Sequence, residues 1–188
     1  MKKNSAAPIA SVLKTGAVLL IISAVIALVL AVVNGATAPV IAANEKKEKE
    51  RAIASIFPQA NVCTLTEYTT QNVEEFYQIC ADDTLLGYCC TVVCPGFSDN
   101  ITMMIGVNAD GTLRKIEILS IADTPGIGLQ VQNEAYLSKY AGLADTNEET
   151  LLIAGATYSS VGVRQGAQNA LSACAAYTAM TEEGGHAE

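Results

Sequence analysis

The sequence predicts an α+β protein: a single N-terminal transmembrane helix followed by an extracytoplasmic domain with a mainly antiparallel sheet packed by helices. Three observations predict it. Residues 16–33 carry no charged side chain, residues 101–121 hold two alternating apolar runs around Ala109-Asp110-Gly111, and residues 160–180 repeat small and apolar side chains with helical period. These are the signatures of a membrane span, a β-hairpin and an amphipathic helix laid on a sheet.

A short basic N-terminus covers residues 1–14, and the transmembrane helix is expected over 15–38. Only Ser23 interrupts the Val, Leu, Ile, Ala and Gly run from Gly16 to Val33. As a helix, that run spans about 27 Å at about 1.5 Å per residue, close to the thickness of a bilayer core. No charge stands between Lys14 and Glu45, and Pro39 is expected to end the helix. The rival reading is a signal peptide cleaved at Ala36-Thr37-Ala38 or Ala42-Ala43. The apolar core of such a peptide is about 7–15 residues long, so the run reads as an uncleaved anchor.

Lys2, Lys3 and Lys14 precede the span, and Lys46, Lys47, Lys49 and Arg51 follow it among Glu45, Glu48 and Glu50. Basic residues alone therefore do not set the orientation. A first apolar segment behind a purely basic leader resembles an export signal, which places the N-terminus in the cytoplasm. Residues 39–57 form a charged connector, helical and solvated from Glu45 to about Ile56, and Phe57-Pro58-Gln59-Ala60 breaks the pattern. The domain is then residues 58–188.

Within it, strand-like runs cover Val73–Ile79 and Leu86–Cys94. Ile101, Met103, Ile105 and Val107 alternate with Thr102, Met104, Gly106 and Asn108, and the chain returns from Leu113 to Ile121 as the second arm of a hairpin. Asp123-Thr124-Pro125-Gly126-Ile127-Gly128 follows as a tight loop, its proline fixing one φ and its glycines free to take positive φ. That loop serves as a strand-to-helix turn or as backbone able to lie against a flat ring. A short helix from Asn133 to Tyr140 turns Ala135, Tyr136 and Tyr140 inward. A last helix from Ser160 to about Met180 sets Val163, Ala167, Ala170, Leu171, Cys174 and Thr178 on one face, before a polar tail.

Composition excludes several functions. Residues 45–188 hold eight basic and nineteen acidic residues, a net charge of −11, which repels phosphate backbones and argues against nucleic acid as a partner. The one histidine, His186, lies in the tail, leaving no base for a Ser or Cys nucleophile. Six cysteines, at 63, 80, 89, 90, 94 and 174, lack paired C-x-x-C spacing, so no metal site is expected. They read as small buried residues or as one or two disulfides of unassigned pairing.

The most informative segment is Ala154-Gly155-Ala156-Thr157-Tyr158-Ser159-Ser160. Gly155 and Ala156 permit close approach of backbone N–H groups, Thr157 offers a hydroxyl, and a helix begins just beyond. Unpaired N–H donors and the positive end of a helix dipole favour a phosphoryl group there. Ser159 and Ser160 also suit ordinary helix capping.

Together, the single span, the strand pair ending in Asp-Thr-Pro-Gly-Ile-Gly, and Ala-Gly-Ala-Thr ahead of a C-terminal helix resemble one family over nearly the whole chain. The chain is similar to the G subunit of the Rnf ion-translocating electron-transport complex. That family lies within the wider FMN-binding domain family, with the C subunit of the sodium-pumping quinone reductase. The resemblance implies covalent FMN on Thr157 through a phosphoester, Gly155, Ala156, Ser159 and Ser160 at the phosphate, and Thr124, Gly126 and Gly128 beside the ring. Tyr158 would stack on the flavin or serve packing alone.

Two positions depart from the family pattern. Ala154 replaces a Ser or Thr, and Thr150 or Leu151 replaces an acidic residue, with Glu148 and Glu149 close by. Neither touches the acceptor hydroxyl, and the second bears on recognition by the flavin transferase that would attach FMN.

The resemblance further implies a subunit of a ferredoxin:NAD⁺ oxidoreductase that moves sodium ions or protons. Its partners would be the other membrane and iron–sulfur subunits. It would be anchored in the cytoplasmic membrane with its FMN domain outside, and would have no independent catalytic site. A stand-alone tethered flavoprotein feeding an extracytoplasmic reductase, and a non-redox anchored ligand- or protein-binding domain with Thr157 as a plain cap, are the alternatives.

Overall fold

A computed structural model of the chain describes residues 6–70, 72–82, 84–122, 128–146 and 151–184. The chain divides into two compact units, Met1–Lys47 and Glu48–Glu188.

The first unit is helical, part of α1 (Ala6–Ile56). This helix is long and apolar enough to cross a membrane. Its described side chains from Ser11 to Lys47 face outward, with Leu20 and Leu28 among the exposed apolar groups. Pro39, expected to end the helix, lies inside it. Proline removes one backbone donor, yet the helix continues on both sides of it. Thr37 also returns its hydroxyl to the Val33 carbonyl at 2.9 Å.

The second unit begins at Glu48, ten residues before the expected boundary. The end of α1 is not a solvated connector: Ala52, Ile53, Ile56 and Phe57 are buried. Their apolar spacing, interleaved with charges, makes one face of the helix end a cover for the sheet.

That sheet has five strands in the order β1-β2-β3-β4-β5, all pairs antiparallel. The strands are β1 (Val62–Thr66), β2 (Val73–Ala81), β3 (Thr84–Pro95), β4 (Asn100–Asn108) and β5 (Leu113–Ile121). The expected hairpin is β4 and β5, with Ile105 opposite Ile116. β1 is an addition to the expected strands: Cys63 and Leu65 alternate with polar residues on an edge strand that buries little, so its pattern is weak.

Both faces of the sheet are buried. Phe76, Cys90, Val92, Ile101, Met103 and Ile105 lie on the face covered by the C-terminal helix α3 (Thr157–Gly184). Ile79, Cys89 and Met104 lie on the other, against Ile53, Ile56 and Phe57. A Cβ on Gly106 would run into the Ile56 side chain, so β4 has a glycine where α1 crosses it. The last helix buries Val163, Ala167, Ala170, Leu171 and Cys174 as its periodicity predicts.

Between β5 and α3 the chain makes a 3₁₀ turn (Gly128–Gln132), the short helix α2 (Glu134–Leu137) and a second 3₁₀ turn (Ser138–Tyr140). Asn133 caps α2, accepting from the Ala135 N–H at 2.9 Å. Tyr136 and Tyr140 point inward as expected, but Ala135 is exposed. Ala135 is one residue, about 100° of helical rotation, from the inward Tyr136, which turns it to the outer side.

Candidate functional site

The start of α3 is fixed by a short chain of hydrogen bonds. The Ala156 N–H donates to the Ile153 carbonyl at 3.0 Å, closing a turn through Gly155, whose φ of +88° is unfavourable for any residue with a Cβ. The Ser160 N–H then donates to the Ala156 carbonyl at 2.9 Å, the first bond of the helix. Ala156 is thus the cap position and Thr157 the first helical residue, three positions earlier than the apolar spacing predicts. Small polar residues carry no apolar signal, so the first turn is invisible to periodicity.

This shift changes the serines. Ser160 is fully buried, accepts from the Ile153 N–H at 3.2 Å and donates to the Thr157 carbonyl at 3.0 Å. Its hydroxyl and its N–H are both used in holding the turn, so it supports the start of α3 from behind. Ser159 is buried as well.

Thr157 and Tyr158 face outward. In the first turn of an α-helix, their N–H groups have no carbonyl one turn earlier to bond. Tyr158 is 71% exposed and meets Phe97, 64% exposed, edge to face with ring centroids 6.2 Å apart. Phe97 lies in the β3–β4 turn, closed by the Gly96 N–H donating to the Asp99 carbonyl at 2.9 Å. The turn is held to α3 because Gly162 admits the Pro95 carbonyl, where a Cβ would collide. Phe97 has no motif to single it out; only the packing brings it beside residue 158.

Of the loop expected near a ring, Gly128 is buried at the start of the 3₁₀ turn. Thr124 and Gly126 lie outside the described residues. The segment beyond Gly128 is tied to the approach to α3: Tyr136 Oη donates to the Leu151 carbonyl at 2.9 Å and pairs with Tyr140 Oη at 2.8 Å. Burial pushes both phenols above their ordinary range, so they stay protonated donors, and the Arg164 charge opposes that rise.

A shallow cavity of about 280 Å³ opens between these segments, lined by Gln130, Asn133, Ala135, Tyr136, Lys139 and Ile153. Its walls include Gln130, two residues past Gly128, and Ile153, two before Gly155, so the chain next to these two glycines borders one corner of the domain. Lys139 and Arg164 give that corner positive charge in a domain of net negative charge. Lys139 and Ile153 escape a reading of the sequence because neither belongs to a motif. Among the described residues, no group of three or more His, Cys, Asp or Glu is placed to hold a metal ion.

The arrangement suits a phosphorylated ligand with a flat ring: an outward hydroxyl at a helix start, exposed aromatic rings beside it, and a cavity bearing a cation nearby. Comparison with known proteins agrees. The FMN-binding domain family matches residues 96–172, and the RnfG N-terminal region matches residues 1–56. The G subunit of the ion-translocating oxidoreductase complex of Shewanella piezotolerans is 27% identical over 153 residues, covering 74% of this chain and 72% of that protein.

Proposed function

The chain belongs to the RnfG family, and from that premise we propose that it carries FMN as a phosphoester on Thr157 within an ion-translocating electron-transport complex. Its role as an FMN-binding electron-transfer subunit of an ion-translocating oxidoreductase follows from the family. The covalent bond, the residues that make it and the orientation in the membrane are our reading.

The observation that carries the reading is the position of Thr157. It is exposed, it is the first residue of α3, and it lies inside the matched FMN-binding region. Attachment forms one bond and breaks one. The Thr157 hydroxyl oxygen bonds to the phosphorus of the FMN half of FAD, AMP leaves, and the hydroxyl proton passes to solvent. A separate flavin transferase would catalyse this once, so Thr157 is an attachment point and not a nucleophile in turnover.

FMN supplies the redox chemistry when bound; the protein supplies position. The outward N–H groups of Thr157 and Tyr158 would hold the phosphate, Gly155 and Ala156 would leave room for it, and Gly128 with Thr124 and Gly126 would border the ring. Lys139 would offset negative charge on the ligand. The ring would lie close to Tyr158 and Phe97, with an edge left open to a redox partner.

A covalent link prevents loss of the flavin outside the cytoplasm. The anchor α1 keeps the domain at the membrane surface and raises its effective concentration near the other subunits. Iron–sulfur and membrane flavin subunits would pass electrons from reduced ferredoxin towards NAD⁺. No charge lies in residues 16–33, so this chain's own span offers no ionisable group for ion movement, which would belong to the partners.

The test is retention of flavin after acid precipitation of protein made with an active flavin transferase. Wild type is expected to keep its yellow colour in the washed precipitate, and Thr157→Ala to lose it. Equal loss from both would overturn the covalent link. Co-purification of the tagged chain with iron–sulfur subunits separates a complex subunit from a stand-alone carrier.

A further inference from the structure

The six cysteines are unassigned by the function above, and two of them meet. Cys90 in β3 and Cys174 in α3 stand 84 residues apart in sequence with their Sγ atoms 3.7 Å apart. Both are buried, Cys90 at 0% and Cys174 at 3% exposure.

The strand register leaves no competing partner of similar geometry. Cys89 faces the opposite side of the sheet, among Ile53, Ile56 and Met104. Cys94 shares the face of Cys90 four residues further along, where its Sγ packs towards Gly166. Cys63 is opposite Ile79 and Cys80 is opposite Val62, so these two point to opposite faces.

We propose that Cys90 and Cys174 are joined by a disulfide that staples α3, the helix beginning at Thr157, to the centre of the sheet. A disulfide needs an S–S distance of about 2.05 Å, an approach of roughly 1.7 Å from the thiol contact. The covering face of α3 is built largely from Ala167, Ala170 and Ala173, with Gly166 beside them, so little bulk opposes a small movement of the helix or a turn of either side chain.

The reaction is two thiol–disulfide exchanges. The Cys90 thiolate attacks an incoming disulfide RSSR and releases one RS⁻. The Cys174 thiolate then attacks Cys90 Sγ and releases the second. Two cysteine thiols are oxidised, one disulfide is reduced to two thiols, and the two cysteine protons end on the released thiolates. The oxidant is any protein or small-molecule disulfide of an oxidising compartment.

Timing follows from the surroundings. In the finished fold, the hydrogen bond shared with Cys174 and burial both push the Cys90 thiol upward, which suppresses the thiolate that exchange requires. The bond therefore forms while the domain folds, before the helix closes over the sheet, and is then shielded from reductants. It would hold α3, the helix whose first residue is Thr157, to the sheet as the flavin transferase acts.

The proposal uses the exported orientation proposed above but not the Thr157 linkage. The test is peptide mass mapping of the full chain, extracted from its native membrane into denaturant containing N-ethylmaleimide and no reductant. Four alkylated cysteines and a Cys90–Cys174 cross-linked peptide are expected. Reduction should lower the midpoint of thermal unfolding by at least about 5 °C, and Cys174→Ala should abolish that sensitivity. Six alkylated cysteines, or a cross-link joining either residue to another partner, would overturn the proposal. Refolding the reduced chain with oxidised glutathione then locates the fault: a Cys90–Cys174 bond formed there assigns the failure to the compartment, and its absence assigns it to geometry. Flavin on Thr157 is scored separately, so either idea can fail alone.

Discussion

Gly162 in the second turn of α3 lies directly against the Pro95 carbonyl at the end of β3, so close that no side chain fits between them. This contact brings the Phe97 turn to the start of the helix that begins with Thr157. Gly162→Val should push the two apart, costing about 1–3 kcal/mol from overpacking. Thermal unfolding in detergent checks the stability. Flavin incorporation by the transferase should fall in the same variant, because Thr157 would no longer be presented in a fixed turn.

Tyr136 joins the segment after Gly128 to the segment before Gly155 through its bond to the Leu151 carbonyl. Tyr136→Phe removes that bond and the contact with the Tyr140 hydroxyl, leaving a buried carbonyl and a buried phenol short of partners. A loss of about 1–3 kcal/mol is expected in denaturant unfolding. Tyr158→Phe, on the exposed face, should change stability by less than about 0.5 kcal/mol.

The aromatic pair beside the attachment point makes an optical prediction. Aromatic rings close to a flavin quench its emission, so Tyr158→Leu and Phe97→Leu should each raise flavin fluorescence while leaving the covalent mass adduct in place. Emission per bound flavin, normalised by absorbance, is the measurement. Unchanged emission in both variants would place the ring away from these side chains.

A pH dependence follows from Glu75 on the other side of the domain. Burial pushes its carboxyl up, but hydrogen bonds from Lys49 at 2.7 Å, Tyr77 at 2.9 Å and Thr91 at 3.3 Å outweigh this and hold it below the usual carboxylate range. A lowered folded-state value means the contribution is fully present above the unfolded value of about 4.3 and is lost as pH falls through the folded one. Stability should therefore drop as pH falls below about 4.3 and through the lowered folded-state value, and Glu75→Gln should flatten part of that drop. Midpoints of chemical unfolding across this range check it.

Much of the fold can be read from the sequence because its signals are periodic. The alternation from Ile101 to Val107 marks β4, and the spacing of Val163, Ala167, Ala170 and Cys174 marks the covered face of α3. What escapes depends on non-local packing. The end of α1 is rich in charge and reads as solvated, yet Ile53 and Ile56 find the back of the sheet. β1 is an edge strand with too little burial to show a pattern.

The site divides in the same way. Gly155 and Thr157 are legible because a positive φ and an outward hydroxyl are local requirements. The bonds of the Ser160 hydroxyl to Ile153 and Thr157 are not legible, because they depend on where the helix begins. Phe97, Lys139 and Ile153 leave no trace in the sequence, since only the folded sheet and the α2 turn bring them to the corner.

The central claim is best tested on the tryptic peptide 140–164, which contains Thr157. From protein made with an active flavin transferase, that peptide should gain one FMN less water, about 438 Da by formula, with fragment ions placing it on Thr157. The gain should vanish in Thr157→Ala. A peptide of unmodified mass, from a preparation in which the transferase modifies another target, would contradict the account.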